Sequence, residues 1–527
     1  MRRILIASVA AAAGAVLADP TPSPWFARVE SSGIEFENIS GRADQIPILD
    51  QNGQGAAVLD ADGDGMLDLV LVNGSTLEAF RAGRAPGHRL YLNQGGFRFR
   101  NRTEASGLRR PLWGTGAAVG DVDRDGRDDL LITGWTPTGG AGGSVALYLS
   151  RGGGRFEDAT AANGLAAVSG YASGAVFFDA EGDGDLDLFI GRYVDFDPER
   201  LPASEPDGSP CLYRGIETGC GPWTYTPQRS LLLVRDGEKF RDVSESSGIA
   251  GSSAAGCRAF QSVAFDFDND HDLDLYVACD VAPNLLFENR SRHVGAGLVP
   301  ARSAAAQSEL RFIERAAELG AAVNAAGTKE SGMGIALIEA GPAAAPSLLL
   351  TNFAGEKNTL YKNLGGRFED ATAGTGLEAH PAEMGWGVAA EDFDGDGLLD
   401  VAIANGQIYP QVAALDDPED RWEQPLRLYR GLPGGRFEEV PRAGGLASVP
   451  PRNRRALIVA DLDDDGRPDL IATTHRGRPE LFRNVVDRPV RRRPERAVPP
   501  DPFRHQGYFS ARDSRRFLGW SLAPPSP

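Results

Sequence analysis

MGWGVAAEDFDGDGLLDVAIANGQIYP, from Met384 to Pro410, joins two apolar runs through a nine-residue acidic loop, Asp392 to Asp400. The loop has carboxylates at positions 1, 3, 5 and 9 and Gly at position 6. Five further segments repeat it as D-x-[DE]-x-D-[GH]-x-x-D: DADGDGMLD (Asp60 to Asp68), DVDRDGRDD (Asp121 to Asp129), DAEGDGDLD (Asp179 to Asp187), DFDNDHDLD (Asp266 to Asp274) and DLDDDGRPD (Asp461 to Asp469). Four carboxylates this close repel one another unless a hard, oxygen-seeking divalent cation joins them, and Ca²⁺ fits that donor set best. The candidate ligands are Asp60, Asp62, Asp64 and Asp68; Asp121, Asp123, Asp125 and Asp129; Asp179, Glu181, Asp183 and Asp187; Asp266, Asp268, Asp270 and Asp274; Asp392, Asp394, Asp396 and Asp400; and Asp461, Asp463, Asp465 and Asp469. The carbonyl of position 7 is the expected backbone ligand. About six Ca²⁺ ions are therefore expected. The turn residue at position 6 allows positions 1, 3 and 5 to converge; His271, which replaces that Gly in the fourth loop, is expected in a left-handed turn.

An EF-hand would require a bidentate Glu at position 12 and a following helix. Position 12 here is Leu71, Ile132, Ile190, Val277, Ile403 and Ala472, inside short β-rich runs such as LVLV and LYVA. The residues before each loop are equally apolar (AAVL, AVFF, LIVA), so each loop joins two buried strands. A single match would be indistinguishable from a solvated acidic turn; six in the same strand–loop–strand context are not.

The interval between the loops at 266 and 392 is double the usual one. Within it, SGMGIALIEAGPAAAPSLLLTNF (Ser331 to Phe353) keeps the apolar flanks but places Glu339, Gly341, Ala343 and Ser347 at the ligand positions, which makes a seventh copy without its ligands. Each copy continues into a third strand: LYLN (90–93), LYLS (147–150), LLLV (231–234), LFEN (286–289), LYKN (360–363), LYRG (428–431) and LFRN (481–484). A fourth strand of the form F-x-[DE]-x-[TSP] with a Gly-apolar exit follows, as in FEDATAANGL (Phe156 to Leu165) and FEDATAGTGL (Phe368 to Leu377). Four strands per repeat predict an all-β, seven-bladed β-propeller. The last repeat lacks its fourth strand, and WFARVESSGI (Trp25 to Ile34) has that strand's pattern, so the N-terminal strand is expected to close the last blade and remove a sheet edge.

The 527-residue chain carries a formal charge of −19, with 24 carboxylates at the ligand positions of the six loops. No basic stripe opposes that charge, which argues against nucleic acid as a partner. Residues 1–18 (MRRILIASVAAAAGAVLA) have the basic start and short apolar core of a secretory signal peptide, and no later stretch reaches the roughly 20 apolar residues of a membrane span. Stable membrane insertion is not expected; a secreted, periplasmic or cell-surface location is. Cys211 and Cys220 are expected to staple a Pro/Gly-rich insertion, while Cys257 and Cys279 fit either a bridge or two buried thiols. Residues 488–527 begin with a basic, Pro-rich run and are expected to form a flexible tail, as is the insertion 292–309 to form a loop.

These hairpins, third strands and F-x-D-x-T exits resemble the FG-GAP/VCBS repeats of integrin α-subunit propellers. With CLYRGIETGCGPW (Cys211 to Trp223), DVAPNLLFEN (Asp280 to Asn289) and the 384–410 stretch, they are more closely similar to the secreted ASPIC/UnbV family related to cartilage acidic protein. The resemblance covers residues 25–487; of the family's small C-terminal module, only His505 to Ser521 has a counterpart. It implies a calcium-binding extracellular protein with a binding, adhesion or scaffold role, toward a protein or glycan the sequence does not identify. A lectin-like propeller and a secreted polysaccharide-degrading enzyme are the alternatives. No HExxH, G-x-S-x-G or CxxC motif is present, and the six His are scattered, so no catalytic residue is assigned. Carboxylates committed to a cation also make poor glycosidase acids, because the ion lowers their pKa values.

Overall fold

The computed structural model describes residues 24–139, 143–251, 255–291, 310–338, 345–418, 420–440, 445–446 and 449–487, with the backbone of 506–507. The expected signal peptide, nearly all of the tail, the 292–309 insertion and Glu339, Gly341 and Ala343 lie outside these residues.

The described chain is all-β apart from short helical turns. Its strands form antiparallel four-stranded meanders in chain order. The first comprises Ala56–Leu59, Asp68–Leu71, Arg89–Asn93 and Phe99–Asn101. Meanders starting at Trp113–Gly120, Gly170–Phe178, Ala259–Phe265, Ile335–Ile338 and Gly385–Glu391 follow the same order. The last consists of Arg454–Ala460, Asp469–Thr474 and Glu480–Asn484, with Phe26–Arg28 as its outer strand, in register Phe26↔Asn484 to Arg28↔Phe482. The borrowed N-terminal strand is therefore observed. Each acidic loop connects the first two strands of its meander, and the ligand-less copy keeps this topology, Ile338 pairing with Ser347.

Apolar clusters lie between successive sheets around a closed circuit. First and second share Leu92 and Tyr148, third and fourth share Phe178 and Phe287, and sixth and last share Phe26, Phe393 and Phe482. The circuit closes between last and first, where Ile458, Ile471 and Leu481 meet Val58, Leu69 and Phe99. The fourth-strand motif is a latch: Asp158 Oδ1 accepts from the Thr160 N–H, and Thr160 Oγ1 in turn accepts the Leu147 N–H, both at 3.0 Å. Its terminal Gly is a spacing requirement. Gly107 (φ +87°) lies against the Phe156 carbonyl of the next sheet, which a Cβ would meet at 2.2 Å. The small residues of the first strands have the same cause; a Cβ on Gly334 would lie 2.0 Å from the Trp386 carbonyl.

At the end opposite the acidic loops, Trp113, Trp135, Tyr171, Tyr193, Phe260 and Trp386 belong to one buried cluster, with Arg455 stacked 4.1 Å from the Trp386 ring. One detail departs from the sequence reading. In the third meander the third strand is Leu231–Asp236, and Leu188 pairs with Leu233, so Arg235 rather than Val234 takes the place of Asn93; without an Asn to mark the strand end, the sequence register was one residue early. Both cysteine pairs are bridged, Cys211–Cys220 and Cys257–Cys279, the second joining the segment before the fourth meander to the end of its second strand.

Candidate metal centres

Each acidic loop reverses direction through two left-handed residues. Position 6 has φ between +75° and +95°, including His271 at +75° as expected; position 4 is also left-handed, occupied by Gly63, Arg124, Gly182, Asn269, Gly395 and Asp464. That second turn was not anticipated. It turns backbone N–H groups inward, toward the carboxylates.

Position 1 gathers these N–H groups. Asp121 accepts from Asp125 N and Gly126 N at 3.0 and 2.9 Å, and Asp266 from Asp270 N and His271 N at 3.2 and 3.0 Å. Position 5 accepts from position 7, as Asp64 does from Met66 N at 2.9 Å. Position 9 is the best satisfied. Asp68 takes Ala61 N on Oδ2 (2.9 Å) and Asn93 N on Oδ1 (2.7 Å), and Asp129, Asp187, Asp274, Asp400 and Asp469 each make the same pair of bonds within 2.7–3.1 Å. The position 9 carboxylate thus ties the loop to the third strand with or without an ion. Ser347 supports this: where the ligands are lost, its hydroxyl still accepts from Asn363 N at 3.0 Å.

Oxygen atoms of Asp60, Asp62 and Asp68 lie within 4.8 Å of one another, as do those of Asp121, Asp123 and Asp129, of Asp266, Asp268 and Asp274, of Asp392, Asp394 and Asp400, and of Asp461, Asp463 and Asp465. Two oxygens bound at about 2.4 Å to one ion can be at most about 4.8 Å apart, so these triads have the dimensions of a cation site. Among the described residues, Asp123 Oδ1, Asp268 Oδ1, Asp392 Oδ1 and Asp463 Oδ1 are buried without a hydrogen-bond partner. An acceptor oxygen is seldom left so, and a cation would satisfy it. Position 5 belongs to the triad of the last loop, and among the described residues the third loop, where Glu181 is hydrogen-bonded to Asp183, gives no such triad. Several loops are also offset by arginines: Arg430 reaches Asp394 at 3.1 Å and Asp396 at 2.7 Å, and Arg483 reaches Asp463 at 2.8 Å.

Burial pushes the position 9 carboxyls up, Asp68 and Asp129 to about 7 and Asp187, Asp274, Asp400 and Asp469 to about 8; the other loop carboxylates add to this, and the N–H bonds oppose it. Glu181 is raised to about 7 by burial and by Asp183. Protein groups alone leave these loops short of positive charge.

The Asn that ends most third strands has a role the sequence did not announce. Asn93 Nδ2 donates to Leu67 O of its own loop (3.1 Å) and to Leu462 O at position 2 of the neighbouring loop (2.8 Å). Asn289, Asn363 and Asn484 repeat the bridge to Ala180 O, Phe267 O and Phe393 O at 2.8–2.9 Å. Neighbouring loops are therefore mechanically linked. The only sequence signal was the recurrence of N in L-[YF]-x-N.

A profile of the FG-GAP-like repeat matches residues 60–132 and 348–403, spans that include three of the loops. Cartilage acidic protein 1 of Mus musculus is 25% identical over 367 residues, covering 66% of this chain and 46% of the relative, so the chain spans about half the relative's length. Among solved structures, the chain is similar to BBS1N in complex with ARL6DN (TM-score 0.41, 10% identity, 88% of this chain and 99% of that one) and to the exotype rhamnogalacturonan lyase YesX (TM-score 0.33, 13% identity, 87% and 74%). The repeated acidic loops, the strands they join, the profile and the curated relative agree: residues 60–132 and 348–403 match FG-GAP-like repeats, and the chain is similar to cartilage acidic protein 1.

Proposed function

We propose that residues 25–487 form a seven-bladed β-propeller whose acidic loops bind Ca²⁺, and that it serves as an extracellular binding, adhesion or scaffold protein. One observation carries the calcium reading: five triads of carboxylate oxygens have the dimensions of a cation site, and four loops hold a buried acceptor oxygen without a partner. A flexible all-oxygen shell with backbone contribution suits Ca²⁺ over Mg²⁺, which demands octahedral geometry and retains water. The bridged cysteines fit an oxidising compartment, and no helix among the described residues is long and apolar enough to cross a membrane. Export directed by residues 1–18 would deliver the loops to millimolar Ca²⁺, where sites with Kd of about 10⁻⁴ to 10⁻³ M are loaded. The aromatic cluster that fills the ring opposite the loops favours a surface binding role over chemistry at the axis.

The ion would act on stability. A ligand bound only by the folded state stabilises by RT ln(1 + [L]/Kd), about 1.4 kcal/mol per site at ten times Kd. Elemental analysis after dialysis against millimolar Ca²⁺ should find about six ions per chain, with a melting temperature that rises with Ca²⁺ and falls on chelation. One ion or none, or an unmoved melting curve, would overturn the reading.

A further inference from the structure

The end of the ring opposite the acidic loops holds a cavity of about 490 Å³, within the range of small-molecule sites. It lies between the turn Thr474–Glu480 of the last meander, the approach to that meander's first strand, and Trp422 of the preceding connection. In a chain of net charge −19, its wall carries four arginines, at 28, 452, 476 and 478, against two glutamates, at 423 and 480. Glu480 is already engaged by Arg454 at 2.6 Å and Arg28 at 3.3 Å, and Glu423 by Arg452 at 3.5 Å. Among the described residues, the Arg476 guanidinium donates to neutral carbonyls, Ser40 O at 3.1 Å and Gly41 O at 2.9 Å. Among the described residues no carboxylate is within ion-pair distance of Arg476 or Arg478, although the buried Asp50 carboxylate lies near enough to Arg476 to feel its charge.

Two buried polar atoms on the same wall, Thr474 Oγ1 and His475 Nδ1, have no partner among the described residues; their side chains belong to residues only 7% and 4% exposed. The His475 tautomer follows from its neighbour. Gln45 Nε2 donates to the carbonyls of Ser40 and Arg42, so Gln45 Oε1, 2.7 Å from His475 Nε2, must accept. Nε2 therefore bears the proton. Burial, then Arg455 and Arg476, keep the ring neutral. Nδ1 is left with a free lone pair, which calls for a donor that an anion alone does not supply. The half-buried Trp422 ring, edge-on to His475 at 5.8 Å, adds an amphipathic aromatic wall.

We propose that this pocket binds an acidic sugar, its carboxylate or sulfate held by Arg452, Arg476 and Arg478 and its ring hydroxyls by His475 Nδ1 and Thr474 Oγ1. This rests on the binding-protein reading above and names its ligand class. Planar guanidiniums match oxyanions, while the neutral imidazole and hydroxyl select a polyhydroxylated carrier over a bare ion.

Titration calorimetry on the full chain in millimolar Ca²⁺ tests it with digalacturonate, its dimethyl ester, a sulfated disaccharide and inorganic sulfate. Digalacturonate or the sulfated disaccharide should bind, and which one does identifies the source of the charge. The dimethyl ester should bind at least about tenfold more weakly than digalacturonate, the loss of roughly one charge-assisted hydrogen bond. Arg478→Ala and Arg452→Ala, both on the surface turn and approach, should each weaken binding about tenfold while leaving the melting curve and calcium count unchanged. The proposal is overturned if neither acidic disaccharide binds, if the ester binds as well as the acid, if sulfate alone binds as tightly as the disaccharides, or if both variants bind like the parent. In each of those cases an intact calcium count leaves the propeller reading standing, whereas loss of calcium binding would remove that reading on its own.

Discussion

Replacing Asp68 by Ala should be far more damaging than replacing Asp64 by Ala, although both are carboxylates of one loop. Asp64 is exposed and accepts a single N–H within its own turn, from Met66 at 2.9 Å. Asp68 is buried and accepts Ala61 N at 2.9 Å and Asn93 N at 2.7 Å. In saturating Ca²⁺ either change weakens the site, at a cost of about 1.4 kcal/mol if that site sits at ten times Kd. Asp68→Ala additionally leaves two buried donors without an acceptor, about 1–3 kcal/mol each, so it should cost roughly 2–6 kcal/mol more than Asp64→Ala. Asp68→Ser copies the natural Ser347, whose Oγ retains one bond at 3.0 Å, and should recover about half of that difference. Urea unfolding of the parent and the three variants, each in saturating Ca²⁺, measures this. If Asp64→Ala and Asp68→Ala are equally destabilising, position 9 is only a ligand and the anchoring role is wrong.

The raised carboxyl values set a pH dependence for the metal-free protein. A carboxyl whose folded pKa is about 7–8 against an ordinary value near 3.8 binds protons more tightly folded than unfolded, so its contribution is fully present below about pH 4 and is lost as pH rises through 8. In chelator the melting temperature should therefore fall between pH 5 and pH 8, and saturating Ca²⁺ should abolish or reverse the fall; a metal-free protein more stable at pH 8 would contradict it. Deleting residues 19–34 should unfold the chain at markedly lower temperature than deleting 488–527, because it strips the outer strand from Asn484 to Phe482 and removes Phe26 from its 5.4 Å contact with Phe393. That burial alone is worth about 1.5–3 kcal/mol, and equal melting of the two truncations would refute closure by this strand. In the third loop, where no triad is found among the described residues, Glu181→Asp should tighten one calcium site in titration; no change would mean that side-chain length is not what keeps the triad from forming.

The repeat was legible because its chemistry is local. A period of four short strands, six carboxylate ladders with a turn residue at position 6, and a fourth-strand pattern misplaced to Trp25–Ile34 are all visible along the chain, and they were sufficient to predict the meanders and the closing strand. What local pattern could not show is where a side chain's partner lies hundreds of residues away. Asn93 bonds to Leu462 O across 369 positions, and Arg455 meets the carbonyls of Asn52 and Gln51 across more than 400. The same holds for position 9: as a spacing it reads as a fourth ligand, and only the third strand folded against it reveals two N–H groups aimed at its oxygens. The arginine pocket was invisible for the same reason, since Arg28, Arg452 and Arg478 are scattered through an acidic sequence and become one charged wall only when the first strand is laid beside the last sheet. Sequence determined the repeating unit, because hydrogen bonds and apolar alternation within a meander act between near neighbours. The tertiary ring decided which groups share a site, because closing it is what sets distant segments within 3 Å of one another.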